Sequence, residues 1–281
     1  MKLVNVESIN ISNNLPFVLI AGPCVIESEQ HAIDISGKIK EICEALSIPF
    51  IYKSSFDKAN RTSSSSFRGT GLDFGLDVLY KVKSTHNIPT LTDVHDATQP
   101  KYVALIVDIL QIPAFLCRQT DLLIACGKAA KVYNKSVNIK KGQFLAPWDM
   151  KFVLEKVSKY TDKVMLCERG TSFGYNNLVT DFKSLIIMAE TKYPVIFDAT
   201  HSVQQPGGLG NKSGGNREFV KYLARAAASV GMAGLFMEVH EDPDNAPSDG
   251  PNMVRLDNLK EILEEIKYID QFIKERNNNG K

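Results

Sequence analysis

A polar cluster follows an apolar run in residues 194–215, and its residue types are suited to chemistry. The apolar positions end at Asp198, and Thr200 and His201 follow within three residues. Five glycines then lie between residues 207 and 215. A buried strand that releases polar side chains into a long glycine-rich loop is typical of α/β enzymes. An ordinary strand with a surface loop is the alternative, so the rest of the chain must decide.

The elements that must position this cluster repeat along the chain. Short apolar runs alternate with amphipathic segments, and Ser28 is placed to cap the first helix. The predicted strands span 17–21, 50–53, 90–93, 109–112, 136–139, 164–167, 195–198 and 235–238. Because each strand is followed by a helix, the pattern predicts an α/β fold with a parallel sheet. Eight units favour a closed (β/α)8 TIM barrel over an open doubly wound sheet.

Helical periodicity fills the intervals between these strands. The predicted helices lie near 28–46, 74–86, 97–107, 119–131, 149–160, 177–191 and 216–230, and a last helix carries Leu256, Leu259, Leu263, Ile266 and Ile273 on one face. Apolar and polar residues alternate near the N-terminus, which predicts a β-hairpin within residues 1–14. No linker interrupts the pattern, so we expect one barrel domain over residues 1–281, with a frayed tail at 277–281.

The composition restricts the classes of partner. The chain has 33 Lys and Arg against 32 Asp and Glu, so no global charge favours nucleic acid or a membrane surface. No apolar run approaches the roughly 20 residues that span a bilayer, and we expect a cytoplasmic protein. The five cysteines show no C-x-x-C spacing, which argues against a disulfide framework.

Every predicted strand ends in a polar or ionisable side chain. Working groups of such barrels lie at the carboxyl ends of the strands. Reading those ends gives Cys24, Lys53, Ser55, Asp93, His95, Gln111, Lys140, Lys141, Glu168, Arg169, Asp198, His201, Glu238 and His240. A purely structural barrel does not need such a set, since neutral turns would suffice.

Two subsets of the strand ends indicate ligands. A cationic subset comprises Lys53, Lys58, Arg61, Lys140 and Arg169. Converging cations suit a small polyanion, although for any single lysine a solvated surface charge is the favoured interpretation. A second subset comprises Cys24, His201, Glu238 and Asp249. A thiolate, an imidazole and two carboxylates can bind Zn²⁺, Fe²⁺ or Mn²⁺. A packed thiol at Cys24 and a Glu238 paired with a nearby cation are the alternatives.

The strand-end segments also carry a family resemblance. The chain resembles the 3-deoxy-D-manno-octulosonate-8-phosphate synthase family in these segments: G-P-C-V-I-E-S (22–28), K-S-S-F-D-K-A-N-R (53–61), F-R-G-T-G-L (67–72), T-D-V-H (92–95), Q-I-P-A-F-L-C-R-Q-T-D-L-L (111–123), N-I-K-K-G-Q-F-L-A-P-W (138–148), E-R-G-T-S-F-G-Y-N-N-L-V (168–179), F-D-A-T-H-S-V-Q (197–204) and G-L-F-M-E-V-H (234–240). The resemblance implies a transferase that condenses phosphoenolpyruvate with D-arabinose 5-phosphate for the inner core of lipopolysaccharide.

Two related families share the chemistry. Seven-carbon 3-deoxy-D-arabino-heptulosonate-7-phosphate synthases use erythrose 4-phosphate and typically read K-P-R-T-S where this chain reads K-A-N-R-T at 58–62. Sialic acid synthases carry a further antifreeze-like domain, for which this chain has no room. The resemblance also implies the metal-dependent branch, since the metal-independent branch has asparagine where this chain has Cys24. The D-G-P sequence at 249–251 is common in the metal-independent branch, but Ser248 before it fits the metal-dependent one.

The resemblance assigns roles to individual residues. Phosphoenolpyruvate would be bound by Lys53, Ser55, Lys58, Gln111, Ala114, Lys140 and Arg169. Arabinose 5-phosphate would be bound by Asn60, Arg61, Thr62, Asp93 and Arg118, with Arg118 contributed by a neighbouring subunit of a homotetramer. The catalytic group would comprise Lys53, Asn60, Asp93, Lys140, Asp198 and His201. The metal ligands would be Cys24, His201, Glu238 and Asp249. We interpret residues 205–215 as a lid over the site.

Two other classes of function remain open at this point. A barrel that binds a sugar phosphate without catalysis would be expected to lack some strand-end groups, and none is missing. An aldolase that forms a Schiff base would use Lys53 or Lys140.

Overall fold

The computed structural model describes residues 1–60, 67–208 and 213–279, and within them eight parallel strands close into a barrel. We number the barrel strands β1 Val18–Gly22, β2 Phe50–Lys53, β3 Thr90–Asp93, β4 Ile109–Ile112, β5 Ser136–Lys140, β6 Val164–Glu168, β7 Val195–Asp198 and β8 Gly234–His240. The register closes where Gly234 lies opposite both Ile196 of β7 and Val18 of β1. The predicted (β/α)8 barrel is confirmed.

The helices surround the barrel. They are α1 Glu29–Ala45, α2 Leu72–His86, α3 Pro100–Val103, α4 Thr120–Tyr133, α5 Met150–Ser158, α6 Lys183–Ala189, α7 Val220–Val230 and α8 Leu256–Asn279. Ser28 caps α1 as predicted, because its side chain accepts a hydrogen bond from the backbone N of His31. The predicted tail, residues 277–281, overlaps the end of α8, and residues 280–281 lie outside the described part.

Two helices are shorter than their periodicity predicts. The helical segment at 97–107 contains only the four residues of α3. The segment at 177–191 begins as a strand, because Leu178–Val179 pairs with Thr171–Ser172 in an antiparallel ribbon. Two further short pairings join Gln204–Gln205 to Gly214–Gly215 and add Val254–Arg255 to the end of β8.

An N-terminal hairpin closes the barrel at the amino ends of its strands. Val4–Val6 pairs with Ile9–Ile11, as the alternating sequence predicts. Val4, Val6 and Ile11 are buried in one cluster with the inward-facing apolar residues of the strands. A larger cluster lies between the strands and the helices. At the amino ends of the strands, the barrel interior is therefore a packed apolar core. At the carboxyl ends, the interior opens to the site.

All five cysteines are buried and unpaired, as the spacing predicts. Within the described ranges, no helix has both the length and the apolar composition that a membrane span requires.

Candidate active site

On most of the strands the inward-facing side chains change from apolar to polar toward the carboxyl end. Residues two apart on a strand face the same side of the sheet, so the apolar interior leads directly into a polar layer. Ile51 is followed by Lys53, and Leu91 is followed by Asp93. The buried polar layer comprises Lys53, Asp93, Gln111, Lys140, Asp198 and Glu238. Above it opens a cavity of about 650 Å³.

Glu238 is an anionic centre on the floor of this cavity. The Nζ of Lys53 lies 3.0 Å from Glu238 Oε1 and also donates to the carbonyl oxygen of Cys24 at 3.2 Å. The Nζ of Lys58 lies 3.9 Å from the same carboxylate oxygen. Burial raises the pKa of Glu238, but Lys53, His201 and Lys58 outweigh burial and lower it overall. The carboxylate is therefore charged at neutral pH.

Asp93 is the centre of a second buried network. Its Oδ1 accepts a hydrogen bond from Gln111 Nε2 at 2.8 Å, and its Oδ2 accepts one from the hydroxyl of Ser55. Asn138 extends the network by donating to Gln111 Oε1 at 2.8 Å. Burial raises the pKa of Asp93, but the charges of Lys53 and other lysines outweigh burial and lower the pKa overall. Four consecutive strands thus fix one ionised carboxylate.

Lys140, Asp198 and His201 form a third group. Lys140 Nζ lies 2.6 Å from Asp198 Oδ2, and His201 Nδ1 lies 2.8 Å from the same oxygen. Burial alone would raise the pKa of Asp198, but His201 and Lys140 hold it well below its usual value. Lys140 Nζ also lies 3.8 Å from the centre of the Phe236 ring. An aromatic face beneath the ammonium group stabilises its charge.

Arg169 is a buried cation with unused donors. It is 4% exposed, and its Nη2 donates to Gln204 Oε1 at 2.9 Å. Among the described residues, no hydrogen-bond partner lies at its Nε or Nη1. Burial lowers its pKa. Because an unpaired buried donor is costly, the free edge of the guanidinium group indicates an anionic ligand.

Glu168 fixes the backbone from which Arg169 projects. Its Oε1 accepts hydrogen bonds from the backbone N of Arg169 and of Gly170, at 2.9 and 2.7 Å. Lys141 Nζ lies 3.5 Å from the same oxygen. Lys141 is 1% exposed and also donates to Thr171 at 2.9 Å. These two strand-end residues therefore support the cavity wall.

The predicted metal ligands converge. One ligand atom each from Cys24, Glu238 and Asp249 lie within 4.8 Å of one another. Cys24 Sγ lies 2.9 Å from Asp249 Oδ2, and His201 Nε2 lies 3.7 Å from Glu238 Oε1 at the edge of the group. In the described part of the chain, Glu238 Oε2 is buried without a hydrogen-bond partner. A soft thiol beside two carboxylates and an imidazole suits a divalent transition metal. The donor set therefore fits such an ion.

The burial of Gly22 allows this convergence. A Cβ at Gly22 would lie 2.1 Å from the carbonyl oxygen of Lys53, so only glycine permits β1 and β2 to approach at this point. Two residues later, Cys24 reaches the cavity floor. The strand-to-loop transition therefore depends on a glycine that a search for polar side chains does not reveal.

The predicted site residues largely share one cavity. Those that line it are Lys53, Lys58, Asn60, Asp93, Ala114, Lys140, Arg169, His201 and Asp249. Cys24, Ser55, Gln111, Asp198 and Glu238 lie buried beneath them. Arg118 is exposed and does not line the cavity of its own chain. Arg61 and Thr62 lie outside the described residues, and so does part of the predicted lid, residues 209–212.

The strand ends did not predict every residue of the site, and two of the missed residues make hydrogen bonds within it. Gln204 lines the cavity, and Asn138 belongs to the Asp93 network. Asn138 was detectable, because a polar residue between Val137 and Ile139 in a buried strand must face a polar partner. Gln204 gave no comparable signal, since it lies in the polar segment after β7.

Comparisons with known proteins place the chain. A protein from Rickettsia bellii, described as 2-dehydro-3-deoxyphosphooctonate aldolase, is 59% identical over 276 residues, which are 98% of this chain and 99% of that protein. Proteins of the same description from Rickettsia canadensis and Rickettsia prowazekii are each 58% identical, over 98% of this chain and 99% and 98% of their own lengths. A family model for the DAHP synthetase I family matches residues 2–275. The chain therefore belongs to the DAHP synthetase I family.

Proposed function

We propose that the protein is an enzyme that condenses phosphoenolpyruvate with D-arabinose 5-phosphate and water. The products are 3-deoxy-D-manno-octulosonate 8-phosphate, a sugar acid of the lipopolysaccharide inner core, and inorganic phosphate. The observation that carries this proposal is the 58–59% identity, over nearly the whole chain, to proteins named for the eight-carbon sugar acid. The seven-carbon alternative is not favoured, although the family model bears the name of that enzyme.

Phosphoenolpyruvate would bind among the buried cations. The free Nε and Nη1 of Arg169 suit two phosphate oxygens. Lys53, Lys58 and Lys140 line the same cavity and would neutralise the carboxylate and the remaining phosphate charge. Electrostatic stabilisation by fixed charges is strong where water is excluded. Ser55, Gln111 and Ala114 would shape this part of the site.

Arabinose 5-phosphate would bind toward the mouth of the cavity. Asn60 and Asp93 line it and would hold the sugar hydroxyls. Asp93 suits this role because its low pKa keeps it an acceptor. We assign the sugar phosphate to Arg61 and Thr62, with Arg118 from a neighbouring subunit.

The reaction forms one carbon–carbon bond and, at C2, replaces the carbon–oxygen bond to phosphate by one to the oxygen of water. C3 of phosphoenolpyruvate attacks the aldehyde carbon, and the aldehyde oxygen takes a proton. Water adds to C2 and loses a proton, and the bond between C2 and the phosphate oxygen then breaks, while the new C2 hydroxyl passes its proton to the departing phosphate and becomes the ketone. Lys140, charged beside Asp198, would stabilise negative charge near the reacting carbons, while Arg169 would stabilise the departing phosphate.

The lysines do not favour a Schiff base. Burial lowers the pKa of Lys140, but the carboxylates of Asp198, Asp93 and Glu238 outweigh burial and raise it overall. An ammonium group that stays protonated is a poor nucleophile. Lys53 Nζ is already engaged, because it donates hydrogen bonds to both Glu238 and a backbone carbonyl group.

A divalent metal ion would be held by Cys24, His201, Glu238 and Asp249. When bound, such an ion supplies Lewis-acid polarisation of an oxygen or lowers the pKa of a water molecule. The chain's own residues would orient the substrates around it. Gln204 donates to Asp249 Oδ1 at 2.9 Å, which leaves Oδ2 directed toward Cys24.

We also propose a homotetramer. Large aromatic side chains are exposed on the two segments that the hydrogen bond from Ser172 N to the carbonyl oxygen of Gln143 joins: Phe144, Trp148, Phe173 and Tyr175. Exposed apolar clusters of this kind suit a subunit interface.

The function is tested by product analysis. Purified protein is incubated with phosphoenolpyruvate and either D-arabinose 5-phosphate or erythrose 4-phosphate, and phosphate release and product mass are measured. We expect the eight-carbon product, with little turnover of erythrose 4-phosphate. Equal turnover of the two aldoses would favour the seven-carbon alternative. Borohydride trapping of a substrate on Lys53 or Lys140 would favour the Schiff-base aldolase.

The metal requirement is tested by removal. After treatment with a chelator and verification that the metal is gone, we expect phosphate release to stop. Addition of Zn²⁺, Fe²⁺ or Mn²⁺ should restore it, and the ion that restores it best identifies the cofactor. Full activity of the verified metal-free protein would contradict the metal-dependent assignment.

A further inference from the structure

Gln204 connects two parts of the cavity that bind opposite charges. It follows a short helical turn after β7, and its side chain lies between Arg169 and Asp249. Its Oε1 accepts a hydrogen bond from Arg169 Nη2 at 2.9 Å, and its Nε2 donates to Asp249 Oδ1 at 2.9 Å. Both ends of one amide are therefore occupied by charged partners.

The chemistry of the partners fixes the orientation of this amide. A guanidinium group only donates, so Arg169 must face the oxygen of Gln204. At the other end, the carboxylate oxygen Oδ1 of Asp249 lies 2.9 Å from Gln204 Nε2 and accepts its hydrogen bond. A flipped amide would place its NH₂ group against the donors of Arg169 and its oxygen against the carboxylate oxygen of Asp249. The bridge therefore exists in one orientation only.

Gln204 bonds to one atom of each partner, Arg169 Nη2 and Asp249 Oδ1, and leaves the other polar atoms of these two side chains for ligands. Arg169 keeps Nε and Nη1 free of hydrogen bonds within the described chain. Asp249 keeps Oδ2, which lies 2.9 Å from Cys24 Sγ. One end of the bridge thus holds the anion site at Arg169, and the other end holds the cation site at Cys24, Glu238 and Asp249.

The backbone of Gln204 is anchored to the loop that carries Asp249. Gln204 pairs with Gly215 in a short antiparallel ribbon. Gly215 packs closely on this loop, because a Cβ there would lie 1.4 Å from Asn252 Oδ1. Arg217 adds a hydrogen bond from its Nη2 to the carbonyl oxygen of Gly250 at 2.6 Å. The Asp249 loop is therefore joined to Gln204 through main-chain as well as side-chain contacts, whereas Arg169 is joined to it through the side-chain hydrogen bond.

We propose that Gln204 is a positioning residue that couples the anion site to the cation site, so that occupation of either site strengthens binding at the other. A ligand that engages Arg169 or Asp249 fixes that side chain, and the Gln204 bridge then restrains the other one, so that the second ligand meets a partner that is already held in place. Coupling between binding sites is reciprocal, so the same factor must appear in both directions. The inference rests on the proposed function, because it takes phosphoenolpyruvate as the anion and a divalent metal as the cation.

The test measures two affinities and their ratio. Co²⁺ is titrated calorimetrically into metal-free protein with and without phosphoenolpyruvate, and phosphoenolpyruvate is titrated with and without Co²⁺. In the unchanged protein we expect each ligand to tighten the other by about 5-fold or more, within the usual range of coupling between sites. In Gln204→Leu, which removes both hydrogen bonds, we expect the ratio to fall close to one.

Two further variants make the result decisive. Gln204→Glu keeps an acceptor for Arg169 but loses the donor to Asp249, so we expect its coupling to vanish as well. Gln271→Leu makes the same chemical change on the exposed side of α8 and should retain full coupling. Coupling that persists in both Gln204 variants, or that is absent from the unchanged protein although both ligands bind, overturns the inference. Failure of the unchanged protein to bind phosphoenolpyruvate or to form the eight-carbon product would instead overturn the proposed function.

Discussion

Arg169 is the residue whose burial and free donors define the anion site most sharply. Replacement by lysine keeps the charge but removes the planar fork that can bind two phosphate oxygens. For Arg169→Lys we expect kcat/KM for phosphoenolpyruvate to fall about 100-fold, which corresponds to roughly 3 kcal/mol. The loss should lie mainly in phosphoenolpyruvate kinetics, while KM for the aldose phosphate changes little. An unchanged kcat/KM would remove Arg169 from the phosphate site.

Cys24 allows a second prediction at the residue scale. Its thiol lies 2.9 Å from Asp249 Oδ2 in the candidate cation site. For Cys24→Asn, which removes the soft ligand, we expect metal content after dialysis to fall at least about 10-fold. Cys126→Ala, a buried thiol in α4 far from the candidate ligands, is the control and should keep its metal. Equal metal content in both variants would exclude Cys24 as a ligand.

The cavity residues differ in how far sequence could reveal them. Lys53 and Asp93 were predictable because an ionisable side chain at the carboxyl end of an apolar barrel strand lies where the sites of such barrels are found. The contact between Lys53 and Glu238 was not predictable, because the closure of the barrel, and not the spacing in the sequence, brings their charged atoms to 3.0 Å. Gln204 was least predictable, since its role depends on two partners that lie 35 and 45 residues away.

Asp108 joins elements on the outside of the barrel and shows how a buried charge supports them. It precedes β4, and its Oδ2 accepts a hydrogen bond from the backbone N of Thr90 at 3.0 Å. Its Oδ1 accepts from Lys83 of α2 and, at 3.0 Å, from Lys135. Removal of one partner from a buried pair leaves the other charges uncompensated. For Asp108→Asn we expect a loss of about 3 kcal/mol of unfolding free energy at neutral pH.

The effect of Asp108→Asn should depend on pH. Burial raises the pKa of Asp108, but hydrogen bonds from Lys83 and Thr90 and the charge of Lys135 lower it overall. A carboxylate with a lowered folded pKa stabilises fully above its ordinary pKa of about 4, and this stabilisation disappears as the pH falls through the folded value.

The melting temperatures of the variant and the unchanged protein should therefore differ at pH 7 and converge in acid. Asp34→Asn, at an exposed position of α1, is the control and should change little at any pH. A difference that is constant with pH would show that the charge of Asp108 is not the cause.

The helices show where periodicity is a limited guide. The predicted apolar face of α8 is buried at Leu256, Leu259, Leu263 and Ile266. Farther along, Ile273 is only half-buried, and the buried residues are Asp270 and Lys274, which form an ion pair. Asp270 also accepts a hydrogen bond from the backbone N of Phe17 at 3.0 Å, which fixes α8 to the start of β1. Such a tertiary contact does not appear in helical periodicity.

The whole molecule separates stability from function along the barrel axis. The hairpin and the apolar interior residues close the lower half, and the polar layer with its cavity occupies the upper half. Eight repeated units made this arrangement predictable, since parallel strands that close into a barrel must place their carboxyl ends together. What repeats could not predict is the position of Arg118, which is exposed and lies away from its own chain's cavity.

Arg118 leads to a prediction about the assembly. If Arg118 of one subunit completes the sugar-phosphate site of its neighbour, Arg118→Ala and Arg169→Lys should each be weakly active, with Arg118→Ala raising KM for the aldose phosphate. Mixed oligomers place an intact Arg118 beside an intact Arg169, so about a quarter of the sites should recover after random exchange of equal amounts in a closed symmetric assembly. Phosphate release is measured before and after subunit exchange, which is followed by mass.

Mixing Lys140→Met with Arg169→Lys is the control: both residues line the cavity of one chain, so no recovery should occur. Recovery confined to the Arg118 mixture would establish a shared site, whereas verified exchange without recovery would place Arg118 outside it.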